Sequence, residues 1–204
     1  MRDKIANLIV WAVASAVLVL ADQYTKALAV THLKNQEACV ILDGVFELLY
    51  SENRGAAFGM MQGRQGIFFL IGVAVLIVAA YAMYRLPAWK HHRYHRMKIC
   101  VILITAGAIG NMVDRVSQGY VVDFLYFSLI NFPIFNVADI YVTVATGLLI
   151  VLMFFYYRDE DLECLQLHPG KTSDRKKSFD KKHISDGKNI SDEKNASDKK
   201  GEVI

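Results

Sequence analysis

Four aspartates stand where an apolar chain should not carry them. Asp22 follows the apolar run that begins near Ile5, and Asp114 interrupts a second run that begins near Ile99. Asp139 opens a third run, and Asp123 sits alone in Val121-Val122-Asp123-Phe124-Leu125. Ionisable groups inside or beside membrane-length apolar segments are costly and usually functional. Two carboxylates close together in a partly dry site cannot easily both ionise, so one keeps a proton near neutral pH. The ionised member can then take a proton from water while the protonated one donates to a carbonyl oxygen or a leaving amine. That is the chemistry of peptide hydrolysis without a covalent intermediate. Structural roles fit some of the same residues. Asn136 and Asp139 have the spacing of a helix N-cap with an acidic first turn. Asp22 and Lys26 can pair at i, i+4, and Arg115 can offset Asp114 near a helix C-terminus. Asp123 is hardest to explain as structure, because a lone aspartate in such a run wants a partner.

Other chemistries find less support. Cys39, Cys100 and Cys164 are odd in number and lack C-x-x-C spacing, so neither a disulfide framework nor a zinc site is expected. There is no H-E-x-x-H and no G-x-S-x-G. His91, His92 and His95 lie among so many cations that they read as part of a basic loop rather than as metal ligands, and no cofactor is implied. A net charge of +3 gives no argument for nucleic acid. A small transporter, using the same aspartates and asparagines to coordinate a cation or relay protons, is the rival reading. Against it, the charged motifs cluster at one boundary, with no polar trail towards the other. A purely structural assembly protein leaves Asp123 and Asp139 unexplained.

The elements that position these groups are four apolar segments of bilayer-crossing length, in a chain that is 54% hydrophobic. They cover about 5–25, 66–85, 98–116 and 137–157, the first and third reaching full length only if their charged ends lie inside the helix. Arg2 and Lys4 before the first run give it the outline of a signal peptide. The polar motif straight after it fits the later ones, however, so it reads as an uncleaved span. The connection between spans two and three holds Arg85, Lys90, Arg93, Arg96 and Lys98, whereas Ser117–Phe135 holds no lysine or arginine. By the bias of positive charge, the termini and basic loop are cytoplasmic and the loops 31–65 and 117–136 face outward. Span three runs outward and span four returns, so Asp123 and Asp139 are candidates to meet at the outer boundary. In the first outer loop, Asp43-Gly44 between two apolar runs signals a hairpin. The fold expected is therefore an all-α integral membrane protein of four transmembrane helices, with a small β element in the first outer loop. Residues 158–204, with 11 basic and 11 acidic side chains and near-repeats at Ser185–Asn189 and Ser191–Asn195, form an expected disordered cytoplasmic tail.

Five outer-end motifs together resemble the lipoprotein signal peptidase (signal peptidase II) family. They are Asp22-Gln23-Tyr24-Thr25-Lys26, Asn53-Arg54-Gly55-Ala56-Ala57-Phe58-Gly59, Gly110-Asn111-Met112-Val113-Asp114-Arg115, Val122-Asp123-Phe124 and Phe135-Asn136-Val137-Ala138-Asp139. Each alone is weak; all five, in this order and between four spans, are specific, and they cover roughly Asp22 to Tyr157. The resemblance implies a membrane aspartic endopeptidase of the bacterial inner membrane with its site near the periplasmic face. Such enzymes cut just before the lipidated cysteine of diacylglyceryl-modified prolipoproteins. It implies Asp123 and Asp139 as the catalytic pair and Asn53, Asn111, Arg115 and Asn136 as substrate-site residues. Asp22, Lys26 and Asp114 would brace the helix ends, and Gly55-Ala56-Ala57 would allow close approach of a substrate backbone. Prolipoproteins, membrane phospholipids and globomycin-type inhibitors are the partners implied. The tail lies outside the resemblance.

Overall fold

A computed structural model of the chain describes residues 2–55 and 65–165. Four long helices carry it: α1 (Arg2–Leu33), α2 (Gln65–Arg85), α3 (His95–Gln118) and α4 (Val137–Phe155). All four are long and apolar enough to cross a membrane. Their outward faces carry large exposed hydrophobics such as Val17, Leu20, Ile77, Val78 and Phe154, a distribution that suits lipid rather than water. Helix α3 packs against each of the other three. It is the most buried of them, which places it at the centre of the bundle.

Helix α1 does not stop where its charges begin. It runs through Asp22 and Lys26 to Leu33, about 48 Å at 1.5 Å per residue, so the first outer loop starts later than the expected residue 31. The helix continues because those charges are neutralised inside the bundle, as described below. Helix α3 ends at Gly119, whose φ of +80° is the left-handed cap that glycine adopts without strain.

The outer loops fold into one antiparallel sheet of order β1-β2-β3: β1 (Cys39–Leu42), β2 (Phe46–Asn53) and β3 (Val121–Tyr126). The β1–β2 hairpin turns at Asp43-Gly44 as its dipeptide predicts, with Gly44 at φ +66°. The third strand comes from the α3–α4 connection, which reads as plain loop in the sequence. Register pairs Ser51 with Asp123 and Asn53 with Val121. That pairing fixes Asp123 on a strand rather than on a free loop.

Close packing of α4 on α3 rests on a glycine. A Cβ on Gly107 would lie 2.5 Å from both the Ala138 carbonyl oxygen and Val142 Cγ2. Gly107→Ala must therefore push the helices apart. It is expected to cost about 1–3 kcal/mol, read as a lowered unfolding temperature in detergent.

The chain beyond α4 departs from the expected tail. Residues 158–165 form a short helix, α5 (Asp159–Leu162), and a 3-10 turn over Glu163–Leu165. Asp161 accepts from the Arg158 backbone N–H, which caps the helix, and Leu162, Cys164 and Leu165 pack on the core between α2, α3 and α4. Composition averaged over the whole tail hides these few apolar residues. The near-repeats lie outside the described residues.

Candidate active site

Both members of the carboxylate pair are held through Asn136. Its Nδ2 donates to Asp123 Oδ1 at 2.6 Å, and its backbone N–H donates to Asp139 Oδ2 at 3.2 Å. Its Oδ1 in turn accepts from the Asp139 N–H at 3.0 Å. The N-cap foreseen as an alternative to catalysis is thus present, closed into a reciprocal capping box, and it is also what seats Asp139 beside Asp123. Asn111 donates to Asp139 Oδ1 at 2.7 Å, and Asn53 donates to Asp123 Oδ2 at 2.9 Å.

Beneath the pair lies a buried ion cluster. Lys26 Nζ sits 2.8 Å from Asp22 Oδ2 and 3.0 Å from Asp114 Oδ2, and donates to Asn111 Oδ1 at 3.0 Å. The two aspartates each reach a backbone N–H beside a member of the pair. Asp22 Oδ1 accepts from Ala138 N at 2.8 Å, next to Asp139. Asp114 Oδ2 accepts from Val122 N at 3.2 Å, next to Asp123. One ammonium is therefore shared by two carboxylates that each pin one arm of the site. Gln23, which sequence reasoning passes over inside the D-Q-Y-T-K motif, closes this cluster by donating to Asp114 Oδ1 at 2.8 Å and to the Gly110 carbonyl.

A cavity of about 470 Å³ opens beside the pair, lined by Asn53, Arg115 and Asp139 with an apolar wall that includes Phe132, Ile140 and Val144. Arg115 donates to the Asn111 and Gly55 carbonyls, and its guanidinium lies over the Phe68 ring at 4.7 Å. Its buried Nε has no protein partner among the described residues. The four residues expected to meet substrate thus divide. All three asparagines bond a carboxylate, but only Asn53 and Arg115 also line the cavity, which Asn111 and Asn136 do not. Amide chemistry is legible in a sequence, but the direction an amide faces is not. Ala56 and Ala57 lie outside the described residues.

Burial pushes the Asp123 carboxyl up to about 7, and the negative charge of Asp139 adds to the rise. The Asn53 and Asn136 amides and the Lys26 ammonium pull the other way without cancelling it. The proton belongs to the coupled pair rather than to one residue. Because the folded value is raised, the acid is present below about pH 7 and lost above it. An activity that needs this proton is expected to fall about tenfold per pH unit on the alkaline side of 7, measured as kcat/KM against pH. Folding stability falls between about pH 4 and 7, where the unfolded chain has released a proton that the folded chain keeps.

The other half of the bundle is not wholly apolar, as the sequence had suggested. Asn7, Ser15, Lys98 and Thr105 are buried there. Asn7 donates to the Leu86 and Pro87 carbonyls and accepts from Lys98, Ser15 donates to the Ile102 carbonyl, and Thr105 joins Trp11 to the Val101 carbonyl. These bonds tie helix to helix.

Fold and site together define a multi-pass membrane protein with two neighbouring carboxylates, one buried and one lining a cavity, at one end of its bundle. A model of the signal peptidase (SPase) II family matches residues 14–155, and the chain belongs to that family. It is 44% identical over 140 residues to the lipoprotein signal peptidase of Symbiobacterium thermophilum, covering 67% of this chain and 89% of the relative. The lipoprotein signal peptidase of Caldanaerobacter subterraneus is 43% identical over 141 residues, covering 69% and 92%. That of Brevibacillus brevis is 39% identical over 140 residues, covering 69% and 91%. Two solved bacterial membrane enzyme structures obtained by the in meso method share the fold. One has a TM-score of 0.63 at 26% identity, over 79% of this chain and 94% of its own. The other has a TM-score of 0.61 at 31% identity, over 72% and 94%.

Proposed function

We propose that this protein removes the signal peptide from diacylglyceryl-modified prolipoproteins, with Asp123 and Asp139 as the acid–base pair. The observation that carries the reading is the single residue Asn136 bonded to both carboxylates, of which Asp139 lines the cavity. The ionised carboxyl takes a proton from water as its oxygen attacks the scissile carbonyl. The protonated carboxyl gives its proton to the developing oxyanion and, on collapse, the leaving amine takes a proton from the pair. Asn53 and Arg115 supply donors on the cavity side, where charge develops. Asn111 and Asn136 act as positioning residues.

The location suits such a substrate. Acyl chains on the cysteine stay in the bilayer while the scissile bond lies at head-group level. With the basic α2–α3 connection on the cytoplasmic side, both termini are cytoplasmic and the site faces the periplasm across the inner membrane. Phospholipids surround the spans, and a globomycin-type cyclic peptide would compete for the cavity beside the pair.

The test is cleavage by purified protein in nanodiscs of a diacylglyceryl-modified precursor and of the same precursor unmodified. The modified form is expected to be cut before its lipidated cysteine and the unmodified form left intact. Equal cleavage of both would contradict the substrate assignment. Ion flux through liposomes without cleavage would favour the transporter instead.

A further inference from the structure

Helix α5 and its following turn lie outside the residues matched by the family model, which end at 155, and the site makes no use of them. They are nevertheless firmly attached. Arg93 donates through Nε and Nη2 to both Asp161 carboxylate oxygens at 2.6 and 2.5 Å, and also to the Tyr156 carbonyl. Tyr94 Oη donates to the Asp161 carbonyl, and Arg85 Nε donates to the Cys164 carbonyl at 2.8 Å. This clasp joins the end of α4 to α2 and to the α2–α3 connection, at the end of the bundle opposite the carboxylate pair.

Leu165 is part of the wall of a second cavity, also of about 470 Å³, lined by apolar side chains including Val78 and Ala82 of α2, Val101 and Ile104 of α3 and Met153 of α4. Helices α2 and α4 both pack on α3 but hardly meet each other, so the cavity is the inner part of a groove whose back is α3. Helical spacing carries the same groove to the site. Val101, Ile104, Ala108, Asn111 and Arg115 follow one stripe of α3, and Asp139, Thr143, Thr146, Ile150 and Met153 follow one stripe of α4.

The direction of the groove selects its occupant. A substrate with its scissile bond at the pair has its lipidated cysteine on one side and its signal peptide on the other. The signal peptide must run from the pair towards the opposite end of the bundle. Met153 lies about 21 Å along α4 from Asp139. That distance passes the midplane of a hydrocarbon core about 30 Å thick. Acyl chains anchored among the outer head groups stop short of it, while a helix crossing the bilayer does not. The apolar stretch of a signal peptide, roughly 7–15 residues, spans about 10–22 Å as a helix, which matches the groove from Asp139 to the clasp.

Resting on the peptidase reading above, we propose that this groove receives the apolar helix of the signal peptide and that the α5 clasp, through Leu165, is its stop. The clasp then sets the longest apolar stretch the enzyme accepts.

The experiment uses full-length protein in nanodiscs and lipidated precursors with apolar stretches of about 8 to 20 residues. Wild-type kcat/KM is expected to hold to about 14 residues and to fall at least about tenfold by about 18. Leu165→Ala moves that fall to longer stretches, and Met153→Trp, which fills the groove from α4, moves it to shorter ones. A flat wild-type profile, or variant profiles that superimpose on it, would overturn the proposal while leaving the peptidase reading standing, since precursors are still cut. A photo-crosslinking residue at position 165 gives a second readout. Adducts to the N-terminal half of the signal peptide support the proposal, and adducts confined to lipid overturn it. Folded protein that cuts no precursor of any length would overturn the peptidase reading itself, and this inference with it.

Discussion

Asp123→Asn and Asp139→Asn are each expected to lower kcat/KM for a lipidated precursor by about 10³-fold or more while leaving the bundle folded. The size follows from the roles: one residue of the pair must carry a proton and the other must accept one, and an amide does neither. The fold survives because asparagine keeps the size of aspartate and its amide oxygen still accepts one of the two hydrogen bonds that each carboxylate receives, so a single contact is lost at each position. Asn53 and Asn136 donate to Asp123, and Asn111 and the Asn136 backbone N–H donate to Asp139. Neither aspartate is an ion-pair partner of Lys26, which is taken by Asp22 and Asp114. Unfolding temperature in detergent, measured beside the rate, separates lost chemistry from lost structure. A variant that unfolds at the wild-type temperature and still cleaves at a tenth of the wild-type rate would remove that residue from the pair.

Replacing Lys26 by methionine should act in the opposite sense, on structure first. Its ammonium is almost fully enclosed and serves two carboxylates that are equally enclosed. Removing one partner of a buried ion cluster leaves uncompensated charge, at a cost of about 3–5 kcal/mol. The damage would not stay local. Asp22 holds the Ala138 N–H and Asp114 holds the Val122 N–H, so both arms of the site loosen together, and Asn111 loses one of the two donors to its Oδ1. A lowered unfolding temperature with reduced cleavage is expected. Adding Asp22→Asn and Asp114→Asn should recover part of the stability, because the charge left behind is then gone. A Lys26→Met protein as stable as wild type would show that the cluster is not what holds the arms.

Much of this was legible in residue types. The four spans follow from apolar length, and the meeting of Asp123 with Asp139 follows from the outward run of α3 and the return of α4. The Asp43-Gly44 turn carries its own signal. Strand β3 was not legible, because its partner β2 lies some 70 residues earlier and Val121–Tyr126 has too few residues to show a period. The extension of α1 to Leu33 was hidden for a related reason. Asp22 and Lys26 read as the end of an apolar run until Asp114, from α3, joins them. The clasp was masked by the polar composition around it, since Leu162 and Leu165 find their apolar partners on α2, α3 and α4 rather than nearby in the chain. In each case the missing information was a partner distant in sequence.

The most direct test of the central claim compares four purified proteins on one lipidated precursor with a metal chelator present: wild type, Asp123→Asn, Asp139→Asn and the double variant. If the two carboxylates act as one acid–base unit, wild type cleaves, and the three variants share the same residual rate, because losing either member already removes the function of both. A double variant slower than wild type by the product of the two single effects would mean that the two residues contribute independently, and the shared-proton account of this site would be wrong.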